Sequence, residues 1–224
     1  MKLPKTFSTR RNSALTLIEI LVIVSVLIML AAFLIPQLKQ AQVRARRITC
    51  INHLMQVGLS CRVWEGDHTN LYPMQVSSTN GGTMNFITGP NAFRHFQVMS
   101  NELSTPYILI CPSESDRMRA RATNFDFLSN SNISYFVGVD ANDANPQRIL
   151  SGDRNITNGT PVKNGVFALT TNNPAGWTSE IHNGVGNLSM ADGSVQQVSA
   201  FSLREATANT GLATNLLQMP VTIP

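Results

Sequence analysis

The side chains able to do chemistry are scattered along the chain. His182, Asp153 and Asp192 could act as acids, bases or metal ligands, yet no H-E-x-x-H, paired-histidine spacing or nucleophile motif groups them. Asp192-Gly193 has a local explanation as the turn of a tight two-residue hairpin, because an aspartate side chain can bond its own backbone there. His182 is expected to hydrogen-bond the loop before that hairpin. His182, Asp192 and Gly193 are therefore read as a structural motif, no catalytic residue is assigned, and the chain is expected not to be an enzyme. The run Asp140-Ala141-Asn142-Asp143-Ala144-Asn145 raises calcium, but lacks the glycine that turns an EF-hand loop and the glutamate that closes it. No metal or cofactor is assigned; Ca2+ is the one ion this composition raises. Arg117, Arg119 and Arg121, with Glu114 and Asp116 nearby, read as a solvated loop.

One acid is out of place. Glu19 is the only ionisable residue between positions 15 and 35, a run with no glycine or proline. At 1.5 Å per residue the run covers about 30 Å, the hydrocarbon thickness of a bilayer. A carboxylate there costs on the order of 2.5–3.5 kcal/mol, so it usually marks a function. The bland alternative is an interfacial glutamate favoured by the helix N-terminal dipole.

The charges give the direction of insertion. Of 17 basic and 13 acidic residues, the surplus four are Lys2, Lys5, Arg10 and Arg11, all ahead of the apolar run. Basic flanks stay cytoplasmic, so everything after Pro36 is expected across the membrane. The remainder balances to zero, which argues against a head built to bind nucleic acid.

The residues Ala14-Leu15-Thr16-Leu17-Ile18-Glu19 resemble the type IV prepilin cleavage signal, with Ala14 where glycine is commoner and Leu15 where phenylalanine is commoner. The resemblance implies cleavage after Ala14 by a prepilin peptidase and N-methylation of Leu15. Glu19 becomes the fifth mature residue, and Pro36 falls where many pilins carry a helix-loosening proline. The new amine, with a pKa near 8, and Glu19 would neutralise one another in hydrocarbon. The family places that pairing between adjacent subunits, so Glu19 and Pro36 are read as assembly residues. Residues 45–59, ARRITCINHLMQVGL, then Trp64, Asp67, Tyr72-Pro73, the segment Leu109-Ile110-Cys111-Pro112-Ser113 and finally His182 separated by nine residues from Asp192-Gly193, resemble in order the blocks of a large group. These are the H-x9-DG prepilin-like proteins of planctomycetes and verrucomicrobia, similar to type II secretion major pseudopilins.

Residues 1–14 are thus read as a cytoplasmic leader, 15–36 as a transmembrane helix, 37–66 as a periplasmic stem helix and 67–224 as a β-rich head. On the stem, Ile48, Ile51, Met55 and Leu59 form one apolar row, and Val43, Cys50, Leu54, Val57 and Cys61 another, a broad stripe for packing on a domain. Arg44, Arg46, Arg47 and Arg62 read as a solvated face with some attraction to the membrane surface. In the head, strands are expected at 84–88, 107–111, 133–139, 166–170, 187–191 and 194–198, short helices at 91–103 and 202–208, and a loose tail. The fold class is α+β and pilin-like: one long N-terminal helix on a small antiparallel sheet.

Three cysteines on an oxidising side suggest one disulfide and one thiol, with three buried free thiols as the alternative. Cys50 and Cys61 lie about 16 Å apart along one helix, too far to pair, which leaves Cys111 joined to one of them. The resemblance covers Cys50 and Cys111 and favours that pair. The expected function is a structural pseudopilin, single-pass in the inner membrane with its head in the periplasm. Its partners would be prepilin peptidase, other pseudopilin subunits and the inner-membrane assembly platform, in a filament serving protein secretion. The second expectation is a membrane-anchored or pilus-associated module binding carbohydrate or protein.

Overall fold

The computed structural model describes residues 16–116 and 119–222. The leader, the cleavage residues Ala14 and Leu15, and Arg117 lie outside the described residues. Two compact units divide after Val43.

The first unit is helical. Helix α1 (Leu17–Asp67) begins in it, and Ile18, Leu21, Leu27 and Phe33 are all exposed. An 18-residue window of this helix has mean hydropathy 3.0, so it is long and apolar enough to cross a membrane. Ser25 returns its hydroxyl to the Val22 carbonyl at 2.8 Å, which satisfies the one mid-run hydroxyl within the helix. Pro36 lies inside α1 without ending it. It removes one helical N–H and crowds the carbonyl four residues back, which loosens the helix locally.

The second unit takes in the rest of α1 and the head. Cys50, Leu54, Val57, Gly58, Cys61 and Trp64 are buried, at the three- and four-residue spacing of one helical face. Of the two apolar rows, then, the cysteine row faces the core from Cys50 to Cys61, while its first member, Val43, is exposed. Ile48, Met55 and Leu59 are instead exposed, together with Val63.

That face packs on a six-stranded antiparallel sheet of order β4-β8-β1-β2-β6-β7: β1 (Tyr135–Gly138), β2 (Ile149–Asp153), β4 (Val166–Thr170), β6 (Gly186–Met190), β7 (Val195–Val198) and β8 (Thr214–Gln218). Strands β3 (Ile156–Thr157) and β5 (Gly176–Trp177) pair separately. Side chains alternate between the two faces. Tyr135, Val137 and Leu150 join the stem face in one core, while Phe136, Ile149, Leu188, Met190 and Leu217 form a second core under helix α4 (Ala200–Asn209). Gly58 lets the stem come close: a Cβ there would stand 3.2 Å from the Ser189 hydroxyl.

The expected helix at 91–103 is two short ones, α2 (Ala92–Gln97) and α3 (Ser100–Leu103). Four expectations fail. Residues 84–88 hold a 3-10 turn (Met84–Phe86), not a strand. Residues 107–111 begin in another (Pro106–Leu109), started by Pro106 and capped by Thr105, whose hydroxyl accepts from Tyr107 N at 3.4 Å. The tail is not loose: β8 is an interior strand paired with both β4 and β1. Its Gln218 side chain is buried, with Oε1 2.5 Å from His95 Nε2 and Nε2 donating to Phe86 O at 2.8 Å. The Arg119 side chain, expected in solvent, is covered; it donates to the carbonyls of Asn130 at 2.6 Å and Pro220 at 2.8 Å.

Candidate functional site

At the head of α1, Thr16 and Glu19 form a reciprocal pair. Glu19 N donates to Thr16 Oγ1 at 3.3 Å, and Thr16 N donates to Glu19 Oε2 at 3.4 Å. This is a capping box, whose T-x-x-E signature stands in the sequence, and it satisfies backbone donors that otherwise have no helical partner. The carboxylate therefore sits at the positive end of the helix dipole.

The second site is buried in the head, where four separate segments meet. Cys50 comes from the buried face of α1. Cys111 follows the Pro106–Leu109 turn, and the next turn wraps its sulfur: Glu114 N donates to Cys111 O at 2.9 Å and Ser113 N to Cys111 Sγ at 3.4 Å. Asp153 ends β2, opposite Tyr135 of β1. One residue on from the Gly152–Leu188 pair, Asn187 of β6 completes a cross-strand row facing the stem. His182 stands in the loop after β5 with φ 56°, followed by Asn183 with φ 54°, a left-handed pair that histidine and asparagine enter more readily than other non-glycine residues. Asn155 holds it by donating to the Thr178 and Ile181 carbonyls at 2.8 and 2.9 Å, and Arg47 donates from the stem to the His182 carbonyl at 3.1 Å. Arg47, expected on a solvated face, is thus a partner of this loop.

The side chains converge. One ligand-type atom from each of Cys50, Cys111, Asp153 and His182 lies within 4.8 Å of the others, and all four residues are buried. Cys50 Sγ donates to Asp153 Oδ1 at 3.3 Å and lies 3.3 Å from the Tyr135 hydroxyl. Cys111 Sγ is 3.4 Å from His182 Nε2, which is 3.6 Å from Asp153 Oδ2. Asn187 donates to Asp153 Oδ2 twice, from N at 2.7 Å and from Nδ2 at 2.9 Å. Burial pushes the Asp153 carboxyl up to about 7. Cys111 is pulled down to about 6, first by its hydrogen bond with Cys50 and, against burial, by His182. Burial and the neighbouring Cys111 push Cys50 up.

This is not the geometry of a nucleophile–base–acid relay. Such a relay uses both imidazole nitrogens, one toward the nucleophile and one toward the acid. Here the same Nε2 meets Cys111 and Asp153. The arrangement fits two other chemistries: sulfur–sulfur bonding, or coordination by four donors.

Of the residues singled out in the sequence, the structure joins Cys50, Cys111, Asp153 and His182, and keeps Cys50, Cys61 and Cys111 as free thiols. Cys61 lies outside the group. Asp192 stays apart as a turn residue, its Oδ1 accepting from Ser194 N at 2.8 Å. The hairpin differs from the two-residue turn expected: Met190 N bonds Ser194 O, leaving three residues in the loop, with Gly193 at φ 84°. The acids of residues 140–145 do not converge. Asp140 Oδ2 accepts from Leu216 N at 2.8 Å, whereas Asp143 meets Arg62 at 3.2 Å. Sequence reasoning missed the grouping of Asp153 with His182, as well as Tyr135 and Asn187; no spacing signal links positions so far apart in the chain.

No family model, curated protein or solved structure matches the chain.

Proposed function

We propose that the chain is a pilin-like structural subunit, made with a leader that a prepilin peptidase removes, anchored in the inner membrane with its head in the periplasm. The mature helix would join other pseudopilin subunits on an inner-membrane assembly platform, in a filament that serves protein secretion. One observation carries the reading. A lipid-length apolar helix carries a single carboxylate, Glu19, in its first turn, and the same helix continues into the core of an α+β head. A plain anchor needs no carboxylate and no continuous stem. A filament subunit needs both, one to set the stagger against its neighbour's amine and one to transmit position to the head. The exposed row Ile48, Met55, Leu59 and Val63 adds support, because an apolar row left open on a stem suits burial between subunits.

The test is Glu19→Ala beside Glu19→Asp, followed by filament recovery and cross-linking in cells. Losing one partner of a buried charge pair costs about 3–5 kcal/mol, enough to cut assembly more than a hundredfold. Glu19→Ala should insert and still be cleaved yet not assemble, while Glu19→Asp retains part of the yield. Assembly of Glu19→Ala at the wild-type rate would reduce Glu19 to its capping role and overturn the reading.

A further inference from the structure

We infer that Cys50, Cys111, Asp153 and His182 hold one zinc-type divalent ion, a structural site that locks the stem helix to the head. The inference stands apart from filament assembly and rests on the geometry of the donors. Four ligand atoms about 2.0–2.3 Å from a central ion sit roughly 3.3–3.8 Å from one another. The separations here are 3.3 Å for Cys50 Sγ–Asp153 Oδ1, 3.4 Å for Cys111 Sγ–His182 Nε2 and 3.6 Å for His182 Nε2–Asp153 Oδ2. These three contacts, reached through both Asp153 oxygens, have the length of tetrahedral edges, and taken one per residue the four ligand atoms lie within 4.8 Å of one another, a cluster that closes on an ion by small side-chain rotations.

The donor set selects the ion. Two thiolates with an imidazole and a carboxylate suit Zn2+, whereas Ca2+ and Mg2+ take oxygen ligands. Four protein ligands in a buried pocket leave no open position for water or substrate, the mark of a structural site and not a catalytic one. The surrounding groups are donors aimed at anions. Ser113 N points at Cys111 Sγ, the Tyr135 hydroxyl and Asn187 Nδ2 lie 3.3 and 3.6 Å from Cys50 Sγ, and Asn187 N holds Asp153 Oδ2. Such outer contacts orient metal ligands and temper their charge. A disulfide would use two of the four groups and leave a carboxylate and an imidazole buried for no purpose.

Coordination would join α1, the Cys111 turn, β2 and the His182 loop at a single point. On binding, each cysteine thiol loses its proton to solvent, His182 coordinates as neutral imidazole and Asp153 as carboxylate. No oxidant or reductant takes part.

The test uses the full chain, expressed with zinc in the medium and purified in detergent without chelator. Elemental analysis should find one zinc per chain, falling below a tenth in Cys111→Ser and His182→Ala and unchanged in Cys61→Ser. Because a ligand variant could fail to fold, Co2+ exchange into the wild-type chain gives a second reading. It should show a thiolate-to-cobalt charge-transfer band with intense tetrahedral d–d bands. A wild-type chain without metal, zinc fully retained in folded Cys111→Ser, or a Cys50–Cys111 disulfide in chain alkylated before any reductant would each overturn the inference.

Discussion

His95 makes the head's stability depend on pH in a way that can be worked from its contacts. It is buried in α2, with Nδ1 2.6 Å from Thr83 Oγ1 and Nε2 2.5 Å from Gln218 Oε1. The Gln218 amide cannot turn over, because its nitrogen donates to the Phe86 and Gly89 carbonyls. Nε2 must then carry the ring proton, and Nδ1 accepts from Thr83. The neutral ring is fully satisfied, and burial lowers the pKa of His95 from 6.5 to about 4. A histidine held neutral contributes stability that is complete above the unfolded pKa and lost as pH falls from 6.5 toward 4. Between pH 7.5 and pH 5 the loss works out at about 2 kcal/mol. The quantity to read is wild type minus His95→Gln, which cancels the pH dependence the two proteins share. Urea unfolding of the full chain in detergent, followed by Trp64 and Trp177 fluorescence at the two pH values, measures it. The variant should lose about 2 kcal/mol less than wild type over that interval. Parallel losses in the two proteins would refute the assignment of the proton.

The two faces of the stem should separate stability from assembly. Leu54→Ala, on the buried face, should cost about 2–5 kcal/mol in urea unfolding. Ile48→Ala, on the exposed row, should stay within about 0.5 kcal/mol of wild type but lower filament yield in cells. Arg119→Ala leaves the Asn130 and Pro220 carbonyls without their buried donor and should destabilise by about 1–3 kcal/mol, with faster hydrogen exchange in residues 214–222 as the local sign.

The stem, β4, β6, β7 and α4 were legible because their residues follow simple periodicity. Which apolar row of the stem turns inward was not, since both rows repeat at helical spacing and only the sheet decides. Strands β2 and β8, Ile-Leu-Ser-Gly-Asp and Thr-Asn-Leu-Leu-Gln, show no clean alternation, because their buried positions include polar side chains satisfied by distant partners. Gln218 needs His95, and Asp153 needs Asn187. The Cys50 group is the extreme case. Its members come from a helix, a turn, a strand end and a loop, and each looks ordinary in its own segment. The capping box spans only four consecutive residues, yet Thr16 and Glu19 were read as parts of a cleavage signal, and their T-x-x-E spacing passed unread.

The central claim, that this is a processed pilin-like subunit, turns on one junction. Intact-mass analysis of the chain extracted from membranes of cells that carry a prepilin peptidase should find a mature protein beginning at Leu15 with one added methyl group. A chain retaining residues 1–14, or one cut beyond Ile35, would contradict it.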